Sequence, residues 1–250
     1  MARLLLVDIG NTRIKWAIKD GAEFTTAVPR FHRGHQMADL LDMDWGQITA
    51  PDRVFISCVA KPEVRAVLNA WVTLHWQLAP HYLVSTRRAC GVINGYDSEE
   101  SLGNDRWAAM IAAFHEQHGA VCVIDSGTAI TIDVVNKDGK HLGGLILPGI
   151  IGMQTALFQQ TALPPMTIKF TSRATLLGNN THDCVSLGIQ HTLSALFVRL
   201  MMYLREDLGT EPTCYLTGGD ALAIQSFLPT ATQHEPYLVL KGLALIASNA

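Results

Sequence analysis

Two short segments of this chain carry an acid, a glycine and a hydroxyl in the same order. They are Asp8-Ile9-Gly10-Asn11-Thr12-Arg13-Ile14-Lys15 and Asp125-Ser126-Gly127-Thr128-Ala129-Ile130-Thr131. Glycine removes the Cβ, so the backbone can bend sharply and approach a ligand closely. Successive N–H groups at such a bend make a concavity for anions. Thr12 and Thr128 add hydroxyl donors, and Asp8 and Asp125 suit a cation that the phosphates also touch. A plain β-hairpin also uses Asp-x-Gly. Two copies in equivalent settings favour a duplicated domain that holds a nucleotide's phosphate chain.

A second type of chemistry is suggested between the copies, at Gly103-Asn104-Asp105-Arg106. A carboxylate there can take a proton from an alcohol as a new bond forms. The neighbouring arginine offers a planar fork for a carboxylate. The same four residues also suit a solvated helix start, where acids are favourable. Three other positions have two readings each. Thr181 suits a substrate contact or a helix N-cap. Lys15 suits a phosphate contact or an exposed strand position. Gly218-Gly219 suits close approach of the backbone to a ligand or a strand-to-helix turn. Trp107 reads as a core residue.

These residues need elements to hold them. Each turn follows an apolar run, Leu4-Leu5-Leu6-Val7 and Val121-Cys122-Val123-Ile124. Residues 3–8 and 13–18 read as a hairpin, with a third strand over 23–28. Residues 35–41 are weakly helical, 53–57 form a β run, 61–73 have helical spacing and 82–84 suit a strand. Residues 101–118 read as a helix. The series then restarts with strands at 120–125, 129–135 and 141–147, the last two joined by a turn at Asn136-Lys137-Asp138-Gly139. Helices follow at 149–160 and 181–208, with a loop from Pro164 and Pro165 between them. A strand at 211–216, a helix at 220–227, a short strand at 237–240 and a closing helix at 243–247 complete the pattern. Strand triplets followed by alternating helices and strands, twice over, give an α/β fold of two halves with mixed sheets, residues 1–118 and 119–250. A single doubly wound sheet fits the two triplets less well.

Composition narrows the function classes. In 250 residues, 48% are hydrophobic and 16% charged, and the net charge is −3. That balance gives no electrostatic case for nucleic acid or an anionic membrane as partner. No signal-peptide pattern or apolar run of membrane-crossing length is expected, which suggests a cytoplasmic protein. The five cysteines, Cys58, Cys90, Cys122, Cys184 and Cys214, include no Cys-x-x-Cys pair, so neither zinc nor a disulfide framework is expected. His32 and His35 lie close together, as do His115 and His118, but no acidic or cysteine ligand completes a set.

Five motifs in order carry a family resemblance. They are the two turns, Tyr96-Asp97-Ser98-Glu99-Glu100-Ser101-Leu102-Gly103-Asn104-Asp105-Arg106, Gly143-Gly144-Leu145-Ile146-Leu147-Pro148-Gly149, and Leu216-Thr217-Gly218-Gly219-Asp220-Ala221. Together they resemble the type III pantothenate kinase family over almost the whole chain. The resemblance implies two ribonuclease-H-like halves of the actin and hexokinase class, with five-stranded mixed sheets flanked by helices. It implies ATP-dependent phosphorylation of pantothenate to 4′-phosphopantothenate, the first step towards coenzyme A. It further implies a divalent cation such as Mg²⁺, a monovalent cation (K⁺ or NH₄⁺) and a homodimer.

The site roles carried by the resemblance are these. Asp8, Ile9, Gly10, Asn11, Thr12, Arg13, Ile14 and Lys15 form the first ATP-phosphate segment, with Asp8 near the Mg²⁺. Asp105 is the catalytic base. Tyr96, Gly103, Asn104, Asp105, Arg106 and Thr181 contact pantothenate. Asp125 holds the monovalent cation, Thr128 gives the second phosphate contact, and Gly218 and Gly219 lie on the adenosine side. Ser98 and Glu99 depart from the Asn-Pro that the family often has, which alters loop stiffness around Tyr96. Two alternatives keep the fold: a kinase for another small alcohol or acid, and a regulatory protein acting as a transcription accessory factor.

Overall fold

The computed structural model describes residues 2–32, 36–164, 166–170, 175–228 and 232–249. His35 and Pro165, singled out above, lie outside the described residues. The chain divides into two compact units: Met1–Glu116 with Tyr237–Ala250, and Gln117–Pro236.

The first unit is built on β1 (Arg3–Ile9), β2 (Arg13–Asp20), β3 (Glu23–Thr26), β4 (Arg30–Phe31), β5 (Arg53–Cys58) and β6 (His81–Tyr82). Their order is β3-β2-β1-β5-β6, with β4 also pairing β2. The β1–β2 and β2–β3 pairs are antiparallel, whereas β1–β5 and β5–β6 are parallel. β1 is apolar at successive positions because both of its faces are covered. Leu5, Val7 and Ile9 pack with α1 (Met37–Trp45) and α2 (Pro62–Trp76), through Leu41, Trp45, Leu68 and Trp71. Pro62 suits the start of α2, where its missing N–H costs nothing. Leu4 and Leu6 face the other way.

A short hairpin, β7 (Arg88–Ala89) and β8 (Val92–Ile93), precedes a 3₁₀ turn at Glu99–Ser101 and then α3 (Asn104–Gln117).

The second unit repeats the plan with β9 (Val121–Ser126), β10 (Ala129–Val135), β11 (His141–Pro148), β12 (Thr213–Thr217) and β13 (Thr232–His234). The order is β11-β10-β9-β12-β13. The first two junctions are antiparallel and the last two parallel, as in the first unit. The duplication expected from the turns is therefore present in the topology. One difference is that the first unit's third strand is split into β3 and β4, which makes that sheet six-stranded.

The second core gathers Cys122, Ile124, Ile130 and Ile132 against α4 (Ile150–Gln160), α5 (Thr181–Leu208) and α6 (Ala221–Ile224). By length and composition alone α5 could cross a membrane, against the expectation that no segment does. Its Leu193, Phe197, Met201 and Leu204 pack in this core.

Two expectations need correction near the C-terminus. Residues 237–240 were expected as a strand, but Leu238–Ser248 is one helix, α7. Residues 237–250 also do not belong with the second half. Leu240, Leu243, Ala244 and Ala247 cover Leu4, Leu6, Ala17 and Phe55 of the first sheet. Elsewhere on α7, Gly242 lets the helix approach α3 closely, since a Cβ there would fall on the Ala108 carbonyl. The apolar face of β1 is what draws the helix back.

Candidate active site

In the first unit, β1 ends in the Asp8–Lys15 segment. The Gly10 N–H donates to the Arg13 carbonyl at 3.0 Å, closing the bend. Asp8 is 9% exposed. The register sets it between Lys15 on β2 and Ser57 on β5. Side chains opposed in this way share a sheet face.

Ser57 links this turn to the second motif. Its hydroxyl donates to Asn104 Oδ1 at 3.0 Å. The Asn104 amide donates to the Cys58 and Leu83 carbonyls at 3.4 and 3.2 Å. The start of α3 is thereby fastened to the ends of β5 and β6. Asn104, expected to touch substrate, spends its side-chain amide inside the unit and acts as a fastening. The residues beside it are held as a result. Asp105 is half-buried, and its Oδ1 accepts from the Arg106 N–H at 2.8 Å. Gly103 leaves room for that carboxylate, because a Cβ would lie 2.7 Å from Asp105 Oδ1.

Arg106 is only 8% exposed. Its Nη1 donates to the Tyr96 hydroxyl at 2.9 Å, and its guanidinium lies 5.6 Å from the Tyr96 ring centre. Tyr96 and Arg106 are one assembly. Trp107 is fully buried, as expected of a core residue.

The loop with the unusual Ser98-Glu99 is fixed by Arg87, a residue the sequence did not single out. Arg87 donates to the carbonyls of Asn94, Tyr96 and Asp97 and pairs with Glu99 at 2.7 Å. A guanidinium fork and its acid do here what a proline would do by fixing φ. Ser57 was missed as well. The only trace of either in the sequence is a hydroxyl inside an apolar strand and an arginine ahead of the tyrosine.

The second unit holds the second turn. The Gly127 N–H donates to the Ala129 carbonyl at 2.9 Å. Asp125 lies in register between Thr131 on β10 and Thr217 on β12. Gly218, at φ +99°, is in the left-handed region that favours glycine, and a Cβ there would overlap the Ser126 carbonyl and Asp125 Oδ1. The Asp220 N–H donates to the Ser126 carbonyl at 2.8 Å. So Gly218, next to Gly219, packs against Asp125 and Ser126 at the start of the turn that carries Thr128.

A cavity of about 380 Å³ lies in the same unit, lined by Ile150, Ile151, Ile168, Phe170, Asp220 and Ser226 among others. Thr181 is exposed at the first position of α5. The cap is Asn180, whose side chain accepts from the Asp183 N–H at 3.0 Å, so the N-cap reading of Thr181 is corrected.

Among the described residues no three His, Cys, Asp or Glu side chains group as a metal site. The cations in question take other oxygens too. The Thr217 hydroxyl is buried with no hydrogen-bond partner, and the register puts it on the Asp125 face. An oxygen left unsatisfied beside a carboxylate fits a cation bound by oxygen ligands.

Two sheets of one strand order, each with an Asp-x-Gly turn at the end of its first strand, define a duplicated α/β protein. The chain belongs to the type III pantothenate kinase family, whose model matches residues 4–202. It is 37% identical over 256 residues to a type III pantothenate kinase of Nitrosococcus oceani, covering 98% of this chain and 94% of that one. Over 245 residues it is 34% identical to one of Nitrosospira multiformis, covering 98% and 90%. Among solved structures it resembles a Baf family protein from Campylobacter jejuni, with a TM-score of 0.58 at 21% identity and 98% of each chain covered. That likeness concerns the fold.

Proposed function

We propose that the protein transfers the γ-phosphoryl group of ATP to the hydroxyl of pantothenate, giving 4′-phosphopantothenate, in the first step of coenzyme A biosynthesis. Within a chain of this family, the observation that carries this reading is the Ser57–Asn104 bond. It fastens the start of α3, with Asp105, to the strand next to Asp8.

In this reading Asp105 accepts the hydroxyl proton at its carboxylate as the new P–O bond forms, while the bond from the γ-phosphorus to the bridging oxygen breaks and ADP leaves. Arg106 and Tyr96 hold the pantothenate carboxylate and chain. The Asp8–Lys15 and Asp125–Thr128 turns bind the phosphates through backbone N–H groups, Thr12 and Thr128. Lys15, set opposite Asp8, adds positive charge. Gly218 and Gly219 border the adenosine, and the apolar wall of Ile150, Ile151 and Phe170 suits its base. Thr181 is a further pantothenate contact.

Asp8 would hold Mg²⁺, and Asp125 with Thr217 would hold K⁺ or NH₄⁺. Bound there, the cations supply charge neutralisation on the phosphate oxygens. The exposed side chains Val198, Met202 and Tyr203 of α5 support a homodimer. A cytoplasmic location fits the need for ATP.

The test is a coupled assay with ATP, Mg²⁺, K⁺ and pantothenate, run beside other alcohols and acids. Asp105→Asn should lower kcat by at least about 10²-fold, in line with the loss of a general base, and leave nucleotide affinity unchanged. Absence of turnover by the parent, or parental kcat in Asp105→Asn, would defeat the proposal.

A further inference from the structure

The two phosphate turns can be superposed in register. Ile9 pairs with Ile14 where Ser126 pairs with Ile130, so the first connection is one residue longer. The Gly10 N–H reaches the Arg13 carbonyl as the Gly127 N–H reaches that of Ala129. On the next strand Phe31 lies beside Arg13, as Pro148 lies beside Ala129. The following residue is His32 in one unit and Gly149 in the other. Each donates its backbone N–H, His32 to the Thr12 carbonyl and Gly149 to the Thr128 carbonyl, both at 3.1 Å.

At this equivalent place the units differ. A Cβ on Gly149 would overlap the Gly127 carbonyl and lie 2.7 Å from that of Thr128, so no side chain fits. His32 has a side chain, and its Nε2 lies 2.9 Å from the Gly10 carbonyl oxygen. A carbonyl only accepts, so Nε2 carries the hydrogen. Arg13 braces the segment, with its guanidinium 4.6 Å from the centre of the Phe31 ring.

The Gly10 carbonyl and the Asn11 N–H belong to one planar trans peptide, so they point in opposite directions. Whatever holds that oxygen sets the direction of the N–H. We propose that His32 is a positioning residue for ATP: by holding the Gly10 carbonyl it aims the Asn11 N–H at the phosphates. This rests on the ATP role proposed above for the first turn.

The test compares His32→Ala, His32→Phe and His32→Gln in steady-state kinetics, with melting temperatures measured without nucleotide. Phe keeps a ring and loses the donor, whereas Gln offers an N–H of similar reach. Loss of one hydrogen bond should raise the KM for ATP about three- to tenfold in the Ala and Phe variants. The KM for pantothenate should stay within about twofold, and Gln should restore the ATP value. If His32→Ala does not fold, His32→Phe decides. A parental KM for ATP in the Phe variant overturns the proposal, as does an equal rise for both substrates. A loss in Gln that matches the loss in Phe also overturns it. If the parent does not turn over pantothenate, the functional reading fails separately, and calorimetric ADP affinity of the same variants still decides the role of His32.

Discussion

Replacing Asn104 tests whether the start of α3 is placed by a few polar bonds. Its side chain accepts from Ser57 at 3.0 Å and donates to the Leu83 and Cys58 carbonyls at 3.2 and 3.4 Å. Asn104→Ala removes all three bonds and leaves the Ser57 hydroxyl and two carbonyls to find new partners. A net bond is worth about 0.5–1.5 kcal/mol, and a buried group left unpaired costs about 1–3 kcal/mol. The 3.4 Å contact is weak, and the residue is only half-buried. The total should therefore be about 2–4 kcal/mol. For a protein of this size that is a fall of roughly 5–15 °C in melting temperature. Asp105 follows Asn104 directly, so kcat should fall as well, by about 10²-fold for a displacement near 1 Å. Asn104→Asp is the sharper variant. It keeps an acceptor for Ser57 but turns an oxygen towards two carbonyls. Differential scanning calorimetry and steady-state kinetics read both effects. If Asn104→Ala melts within a degree of the parent and keeps parental kcat, the fastening argument is wrong.

Two further outcomes follow from glycine geometry and thiol burial. Gly218→Ala should cost about 2–5 kcal/mol, from a positive φ and from overlap with the Ser126 and Asp125 oxygens, and should raise the KM for ATP. Gly209→Ala, also at positive φ but with nothing within 4 Å, should cost only about 1 kcal/mol in the same melting experiment. Equal losses in the two variants would remove the steric part of the argument. A hydrogen bond with Cys214 and complete burial push the Cys122 thiol well up, the same bond lowers that of Cys214 against its burial, and burial raises those of Cys58 and Cys90. Where burial dominates, the folded state keeps protons that the unfolded chain releases, so stability is full below the ordinary thiol range and is lost as the pH rises from there through the raised folded values. Cys122→Val should flatten that alkaline decline in urea titrations, and an unchanged slope would assign the decline to other groups.

Much of the site could be read in the sequence because turns are local. An Asp-x-Gly bend between apolar runs states its own geometry, and both copies fall where the runs put them. The sheets followed from the same runs. What escaped depends on partners far along the chain. Arg87 and Ser57 lie outside every motif, and they work through backbone carbonyls and the Asn104 side chain, contacts that spacing along the chain does not state. β13, a three-residue strand Thr232–His234 with no apolar pattern, exists only through its pairing with β12. The segment from Tyr237 suits a short strand and a helix alike, because a leucine-rich run is compatible with both, and its packing on β1 makes it a helix.

The return of α7 to the first sheet sets an order of assembly on the ribosome. The second unit is one continuous stretch, Gln117–Pro236, and its strands are all synthesised before α7 emerges. The first unit is made earlier but stays unfinished. Leu4, Leu6 and Phe55 keep one apolar face open until Leu240, Leu243 and Ala247 arrive. At about 5–20 residues per second that wait is on the order of ten seconds or more. During it the oldest part of the nascent chain is the part most exposed to chaperones, and a stop codon shortly before Leu238 would leave that face bare for good.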